Sequence, residues 1–224
     1  MNAYKQQERS EGEAVSGRTL GRLPLYLSYL KSLSERPETI SAAIIARQLN
    51  LNHVLVRKDL AYVGQGGRPR TGYVTEELIA DIERFMGYRE TSRAVVVGAG
   101  KMSEALMEYE GFSEYGLEIV ALFSNRKNEL QTCGCIRAFP VEKLGEICRR
   151  MHVQIGIVAV PAAEAQAAAD LLADGGVRAI WNLSPAHLNV PDWVLVENEN
   201  MGASLAMLSK RLCQKSKGGH QAGN

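Results

Sequence analysis

The stretch VVVGAGKMS, residues 95–103, decides the fold of the larger part of this 224-residue chain. An apolar strand runs into Gly98 and Gly100, and the residues that follow are compatible with a helix. The first glycine permits a tight turn, and the second lets backbone amides approach a pyrophosphate at the helix N-terminus. The setting predicts a dinucleotide-binding loop, although Ser103 stands at the third glycine position of the usual fingerprint.

Downstream of this loop, short apolar strands alternate with helical segments. Near-continuous apolar runs are typical of strands that are buried on both faces of a parallel sheet covered by helices. The sequence therefore predicts an α/β protein with a Rossmann domain over residues 88–214, ending in an amphipathic helix over 201–213. The predicted strands are residues 94–97, 118–123, 155–160, 179–181 and 193–196.

Upstream of the loop, residues 18–87 have a helical pattern. Ser41 and Asn52 are placed to cap a second and a third helix, and a glycine-rich loop over 64–73 suits a tight β-turn. This order of helix, short turn, helix and β-loop predicts a winged helix-turn-helix domain. The first helix is indicated by leucines at three- and four-residue spacing, namely Leu20, Leu23, Leu27, Leu30 and Leu33.

Basic residues cluster in the N-terminal domain, although the formal net charge of the chain is only +1. The second helix of a helix-turn-helix reads base edges, and Arg57 and Lys58 can contact guanine edges or phosphates. Arginines on the wing can reach phosphates or a narrow minor groove. These positions predict a DNA interface; the alternative is a set of solvated surface charges. The predicted DNA-binding residues are Arg47, Asn52, Arg57, Lys58, Arg68 and Arg70.

Composition limits the other classes of function. No apolar run approaches the roughly 20 residues that span a bilayer, and the polar first residues lack a secretion signal, so we expect a cytoplasmic protein. Residues 1–17 and 215–224 are predicted to be a disordered arm and tail. No metal site is expected, since Cys133 and Cys135 are too close for a usual zinc pair. We expect free thiols in a reducing compartment at Cys133, Cys135, Cys148 and Cys213.

The end of the second Rossmann strand departs from the usual NAD pattern. NAD-selective sites carry an Asp or Glu there, which accepts hydrogen bonds from the ribose. This chain has Ser124, Asn125 and Arg126 instead, which favours NADP(H), loss of the ligand, or an ordinary polar loop. His152 and His187 have no obvious carboxylate partner, so we expect no enzyme, and an NAD(P)-dependent oxidoreductase is the weaker alternative class.

Several segments outside the glycine loop have specific sequences. They are RLPLY at 22–26, VRKDLAYVG at 56–64, GY at 72–73, AVP at 159–161, GVRAIWN at 176–182 and VEN at 196–198. Over about residues 18–212 the chain resembles the Rex redox-sensing repressors. The resemblance implies a homodimer whose C-terminal helix, about 202–212, swaps onto the partner. It also implies binding to a palindromic operator, controlled by the NADH/NAD⁺ ratio, with the reduced cofactor favouring release.

The resemblance also identifies positions at which this chain differs from the family. Family members usually place an acid at Ser124, and they form a switch from an aspartate at Asn200, an arginine near Ser28 and the tyrosine that matches Tyr109. Only Tyr109 remains here, so we expect a response to NADH that is weakened, altered or lost. The predicted cofactor-binding residues are Gly98, Ala99, Gly100, Lys101, Met102, Ser103, Tyr109, Ser124, Asn125, Arg126, Val160, Pro161 and Asn200.

Overall fold

A computed structural model describes residues 15–64, 67–68, 71–125 and 138–218, with side chains as far as 214. The chain divides into two compact units, residues 1–90 and 91–224. The division between Glu90 and Thr91 lies close to the predicted division after residue 87.

The first unit is helical with a short two-stranded ribbon. The predicted caps are confirmed: Ser41 Oγ accepts a hydrogen bond from the Ile44 amide at 3.3 Å, and Asn52 Oδ1 accepts one from the Val54 amide at 2.8 Å. Each satisfies a backbone donor that the first helical turn leaves unpaired. The elements are α1 (Gly17–Ser32), β1 (Thr39–Ile40), α2 (Ala42–Gln48), α3 (His53–Leu60), β2 (Tyr73–Val74) and α4 (Thr75–Phe85).

The core of the first unit forms where the apolar faces of its helices meet. Most of the predicted leucine stripe of α1 is inside this core, but Leu20 is 40% exposed. Helix α3 ends at Leu60, earlier than the predicted end near Val63, and a turn leads to Gly64. The buried apolar residues of this core are Leu23, Tyr26, Leu27, Leu30, Ile40, Ile45, Ala46, Val56, Leu60, Leu78, Ile79 and Ile82.

The ribbon that carries the wing was not predicted as strands. β1 pairs antiparallel with β2, but strands of two residues are too short to show an alternating pattern. Gly72 has φ +86°, and a Cβ at this position would collide with the carbonyl oxygen of Ile40. Glycine is therefore required where the wing returns to β1.

The second unit contains a six-stranded parallel sheet of order β5-β4-β3-β6-β7-β8. The strand β5 was missed, because it has three residues and includes Pro140, and β8 begins two residues later than predicted. The elements are β3 (Ser92–Val97), α5 (Lys101–Glu108), β4 (Leu117–Ser124), β5 (Ala138–Pro140), α6 (Leu144–Met151), β6 (Ile155–Val158), α7 (Ala162–Asp174), β7 (Ala179–Asn182), β8 (Leu195–Asn198) and α8 (Met201–Gly218).

Helices cover the two faces of this sheet unequally. One face packs against α6 and α7 in a large core, and the other packs against α5 in a smaller one. Helix α8 continues to Gly218, four residues into the range predicted to be a disordered tail, because no helix breaker interrupts residues 214–217. The chain reverses its direction of travel across the sheet between β3 and β6, which is where ligands bind in sheets of this kind.

Candidate functional site

The helix-turn-helix consists of α2, residues 49–52 and α3. Asn50 adopts the left-handed conformation, with φ 53°, which asparagine tolerates better than most residues. The Leu51 amide then donates to the Ala46 carbonyl at 2.8 Å. These interactions hold α3 against α2 as the second helix of the motif.

The outer surface of this motif is basic. Arg57 and Lys58 on α3 are exposed, as is Arg47 on α2. The acidic residue of α3, Asp59, is only 2% exposed. The positive charge of the outer surface is therefore not offset by a carboxylate on the same helix.

The remaining predicted DNA-binding residues have different surroundings. Asn52 is exposed, and its Oδ1 caps α3, which leaves the Nδ2 group to donate elsewhere. Arg68 is exposed at the base of the wing, where its backbone bonds that of Gly72 in an isolated antiparallel bridge. Arg70 lies outside the described residues.

Asp59 joins α3 to α1 through hydrogen bonds from three side chains. Arg22 donates from Nε to Oδ2 at 2.7 Å and from Nη2 to Oδ1 at 2.8 Å. The Tyr26 hydroxyl donates to Oδ2 at 2.6 Å and the Thr19 hydroxyl to Oδ1 at 3.1 Å. We call Asp59, Arg22, Tyr26 and Thr19 the Asp59 clamp; sequence reasoning assigned none of these four residues to a site.

The clamp changes the acidity of its members. Burial alone would raise the pKa of Asp59, but the hydrogen bonds from Arg22, Tyr26 and Thr19 outweigh it and hold that pKa below its usual value. Burial, together with the hydrogen bond to Asp59, raises the pKa of Tyr26 to about 12. The hydrogen bond to Asp59 raises the pKa of Arg22. Each pKa shift favours the state found in these hydrogen bonds, which is an ionised Asp59, a protonated Tyr26 and a protonated Arg22.

A cavity of about 360 Å³ opens at the carboxyl ends of β3, β4 and β6. It lies at the switch point of the sheet, where a dinucleotide is expected to bind. Its lining includes seven of the predicted cofactor-binding residues: Gly98, Ala99, Gly100, Ser124, Asn125, Val160 and Pro161.

The glycine loop shapes one wall of this cavity. Gly98 has φ +115°, and a Cβ there would collide with the carbonyl oxygen of Ala159. A Cβ on Gly100, in contrast, would meet no atom within 4 Å. Gly100 precedes α5 without a side-chain cap, so the first amides of that helix are placed to receive an anionic group. The donor set fits a pyrophosphate.

Five other predicted cofactor residues do not line the cavity. Lys101 is paired with Glu104 at 2.9 Å, and Met102 is 40% exposed. Ser103 is fully buried, with no hydrogen-bond partner for its hydroxyl. Tyr109 and Asn200 also lie outside the lining. Arg126, the sixth, lies outside the described residues.

The opposite wall of the cavity was missed by the sequence reasoning. It is formed by the first turns of α7, with small side chains at Ala163 and Ala167 and the carboxylate of Glu164. The alanine-rich sequence at 162–169 is a signal for close approach, but it also suits any buried helix. Sequence alone therefore could not assign it to the site.

The positions of the family switch are occupied differently in this structure. Ser28 is exposed on α1. Asn200 Oδ1 accepts a hydrogen bond from the Ala203 amide at 2.8 Å and so caps α8. The ring of Tyr109 meets that of Phe112 edge-on, with 4.9 Å between centroids. No carboxylate or guanidinium stands at the first two positions to pair with the tyrosine.

The second unit also presents two apolar surfaces. A cavity of about 610 Å³ lies on the face of the sheet that α5 leaves partly open, and its lining is almost wholly apolar, including Phe112, Ile155 and Trp181. Helix α8 exposes its large apolar side chains by 55–70%. These are Met201, Leu205, Met207, Leu208 and Leu212.

Within the described part of the chain, no group of histidine, cysteine or acidic residues could hold a metal ion. Among the same residues, no helix combines the length and the hydropathy of a membrane span. Burial raises the pKa of the Cys148 thiol to about 11, which disfavours the thiolate form at neutral pH. Cys133 and Cys135 lie outside the described residues.

Two families match successive parts of the chain. The family described as "Putative DNA-binding protein N-terminus" matches residues 14–61. The family described as "CoA binding domain" matches residues 89–186. The first match covers the helix-turn-helix, and the second covers the glycine loop and most of the parallel sheet.

Curated relatives are similar over most of their length. A redox-sensing transcriptional repressor Rex from Porphyromonas gingivalis is 38% identical over 198 residues, covering 87% of this chain and 90% of the relative. One from Carboxydothermus hydrogenoformans is 38% identical over 201 residues, covering 89% of this chain and 97% of the relative. The similarity therefore spans both units.

Solved structures agree with these relatives. A crystal structure of RSP in complex with beta-NAD+ and operator DNA has a TM-score of 0.84 at 29% identity, covering 94% of this chain and 100% of that one. RSP in complex with beta-NADH has a TM-score of 0.81 at 29% identity, covering 91% and 97%. With both the sequence and the fold in agreement, this chain belongs to the Rex family of redox-sensing transcriptional repressors.

Proposed function

We propose that this chain represses transcription by binding a palindromic operator as a homodimer, and that a dinucleotide bound at the glycine loop controls release. The observation that carries the proposal is the basic outer surface of α3, which places Arg57 and Lys58 outward while the one carboxylate of the helix is buried. A solved relative is a complex with operator DNA. We assign Arg57 to base contacts, and Arg47, Lys58 and the wing arginines Arg68 and Arg70 to phosphates.

The homodimer is supported by the apolar surfaces of the second unit. A parallel sheet is normally covered on both faces, and α8 has apolar side chains that nothing in the described residues covers. One protomer thus supplies both an open sheet face and an unpartnered helix. We assign α8 of a second copy to the cavity lined by Phe112, Ile155 and Trp181. Such an exchange is isologous and closes with two-fold symmetry, as a palindrome requires.

The dinucleotide proposal makes two claims, one about binding and one about selectivity. A bound NAD(H) is supported by the solved complexes of RSP and by the cavity that joins Gly98, Gly100 and Ser124. The selectivity claim is that selection against NADP(H) is weak. Ser124 and Asn125 lack the carboxylate that would accept from the ribose and repel a 2′-phosphate.

Calorimetry with NADH and NADPH tests the selectivity claim. We expect the two affinities of the unaltered chain to lie within about tenfold. Ser124→Asp should lower NADPH affinity by at least tenfold, because two negative charges then meet in the cavity, while Ser124→Ala serves as the size control. Strong discrimination against NADPH by the unaltered chain would contradict this claim and leave the DNA proposal intact.

An NAD(P)-dependent oxidoreductase has less support. Such an enzyme needs a proton-transfer group close to the nicotinamide. Neither His152 nor His187 lines the cavity. His152 ends α6 in a left-handed conformation, with φ 52°, and His187 is exposed in a loop. We therefore assign no catalytic residue.

Selection from a random duplex pool tests the repressor proposal. The unaltered chain should enrich an inverted repeat whose half-sites are about one helical turn or a multiple apart, since two copies of α3 must enter the major groove on one side of the duplex. Fluorescence anisotropy then measures affinity for the selected duplex and for a scrambled one. A chain that enriches no duplex, even at low salt, would overturn the proposal.

A further inference from the structure

We propose that Asp59 is a positioning residue for DNA binding: pinned by α1, it sets the rotation of α3 about its own axis and so directs Arg57 toward the groove. This inference rests on the proposed function and deepens it. It assigns a role in DNA reading to four buried or half-buried residues, Thr19, Arg22, Tyr26 and Asp59, that do not reach the surface of the recognition helix.

Helical geometry makes the rotation of α3 decisive. Each residue of an α-helix advances the side chain by about 100°. Arg57, two residues before Asp59, therefore points about 160° away from it. A carboxylate held against α1 at Asp59 thus places Arg57 on the flank of α3 opposite the clamp, where it is exposed.

Apolar packing alone would leave this rotation loosely defined. Helix α3 has eight residues, and its buried apolar side chains are Val56 and Leu60. These two are four residues apart and lie nearly along one line on the helix. They hold that line against the core, but the helix can still rotate by small angles about its own axis. Apolar contacts are also non-directional. A further directional contact is needed to one side of that line.

The Asp59 clamp supplies the directional contact. Four hydrogen bonds of 2.6–3.1 Å reach both carboxylate oxygens, and hydrogen bonds weaken steeply when bent. Arg22 contacts both oxygens with two nitrogens, which fixes the plane of the carboxylate as well as its position. All three donor side chains belong to α1, so a single helix fixes the rotation of α3 about its own axis.

A small change in the rotation of α3 is enough to break a contact to a base edge. At a side-chain radius of about 6 Å, rotation of α3 by about 20° moves an outward tip by about 2 Å. A bidentate contact to a guanine edge does not survive such a shift. Contacts to phosphates along a flexible backbone do, because a charge acts over longer distances. Loss of the clamp should therefore impair sequence-specific binding and leave non-specific binding nearly unchanged.

Two shape-conserving variants test the inference in the full chain. Tyr26→Phe and Thr19→Val each remove one donor to Asp59 without opening a cavity. Ile82→Val, in the same core on α4, is the control for a general loss of stability, because Ile82 is fully buried and outside the clamp. Denaturant midpoints identify the conditions in which all chains are folded.

We expect Tyr26→Phe to reduce affinity for the selected duplex at least tenfold, with affinity for the scrambled duplex within twofold, and Thr19→Val to act in the same direction. Ile82→Val should change neither affinity. In the free protein, amide hydrogen exchange should quicken in residues 53–60 for the clamp variants and not for Ile82→Val.

The two proposals fail in different ways. If the unaltered chain selects a duplex, but Tyr26→Phe and Ile82→Val give the same affinities and the same exchange in 53–60, the positioning role is wrong and the repressor remains. If the unaltered chain selects no duplex, the repressor proposal is wrong and the positioning role is lost with it.

Discussion

The two halves of this protein keep different parts of what their family resemblance implies. In the N-terminal unit, the motif on α3 is built with its charges complete, since Asp59 is fully paired and Arg57 and Lys58 face outward, and the one charge missing is the arginine that the resemblance implies near Ser28 on α1. In the C-terminal unit, the backbone of the glycine loop is built, but two carboxylates that the resemblance implies are absent, one at Ser124 in the cavity lining and one at Asn200 at the start of α8. The backbone of a dinucleotide-type cavity is therefore kept in a chain that lacks charged side chains which the resemblance implies.

The largest effect should come from the loop whose backbone holds that cavity. Gly98→Ala should lower the free energy of unfolding of the second unit by about 3 kcal/mol, because Gly98 has positive φ and a Cβ would collide with Ala159. Gly100→Ala should leave stability within about 0.5 kcal/mol, since a Cβ there meets nothing, yet lower dinucleotide affinity at least tenfold.

Denaturant unfolding and calorimetry of both variants check this contrast. Equal stability losses for Gly98→Ala and Gly100→Ala would show that the loop lacks the positive φ at Gly98 and its close approach to Ala159. Unchanged dinucleotide binding in Gly100→Ala would place the pyrophosphate elsewhere.

The DNA-reading half should respond next most strongly. Arg57→Ala should cost about 1–3 kcal/mol of operator affinity and relax sequence preference. Lys58→Ala should lower affinity for all duplexes alike and reduce the salt dependence of binding by about one counterion. Anisotropy titrations at several salt concentrations separate the two behaviours; footprints that neither change affects would remove α3 from the interface.

Elements with a strong periodic pattern were predictable from sequence, and very short ones were not. The capped helices α2 and α3 follow from Ser41 and Asn52. In contrast, β1, β2 and β5 contain two or three residues each, and their pairing depends on partners distant in the chain. No local pattern can show such pairing.

The Asp59 clamp predicts a smaller, pH-dependent effect. The pKa of Tyr26 is raised from 10.0 to about 12 in the folded protein, so its contribution to stability is complete below pH 10 and is lost as the pH rises toward 12. The loss should be about 1.4 kcal/mol per pH unit in that window. Urea midpoints of the unaltered chain and of Tyr26→Phe at pH 8, 10 and 11 test this; parallel profiles would contradict it.

Asp59 has the opposite dependence. Its folded-state pKa is lowered, so its contribution is complete above its unfolded value near 4 and is lost as the pH falls through the folded value. Both ends of the pH range should therefore weaken the clamp, and neutral pH should not.

The smallest effect is expected at Ser103, at the third position of the glycine fingerprint. Its hydroxyl is buried without a partner, and alanine forms helices better than serine. Ser103→Ala should raise the free energy of unfolding by roughly 1 kcal/mol. Thermal and denaturant unfolding measure this change; a loss of stability would mean that the hydroxyl is satisfied.

The cavity residues that directly follow strands were predictable from the sequence, and the others were not. Gly98, Gly100, Ser124 and Val160 come directly after apolar runs, and the carboxyl ends of parallel strands share one edge of the sheet. Glu164 and the alanines of α7 face the cavity only because of the way that helix packs. The buried clamp was also hidden, because Thr19, Arg22 and Tyr26 are far from Asp59 in sequence and each is ordinary on an amphipathic helix.

Operator release measured with each dinucleotide is the most direct test that the cofactor cavity controls DNA binding. The selected duplex, held at a concentration of protein that binds half of it, is titrated in turn with NADH, NAD⁺, NADPH and NADP⁺ while anisotropy is followed. We expect a weakened response, in which reduced cofactor releases the duplex more effectively than oxidised cofactor but less completely than an intact charged switch would allow, and in which NADPH acts within about tenfold of NADH. A complex that none of the four dinucleotides alters would contradict it.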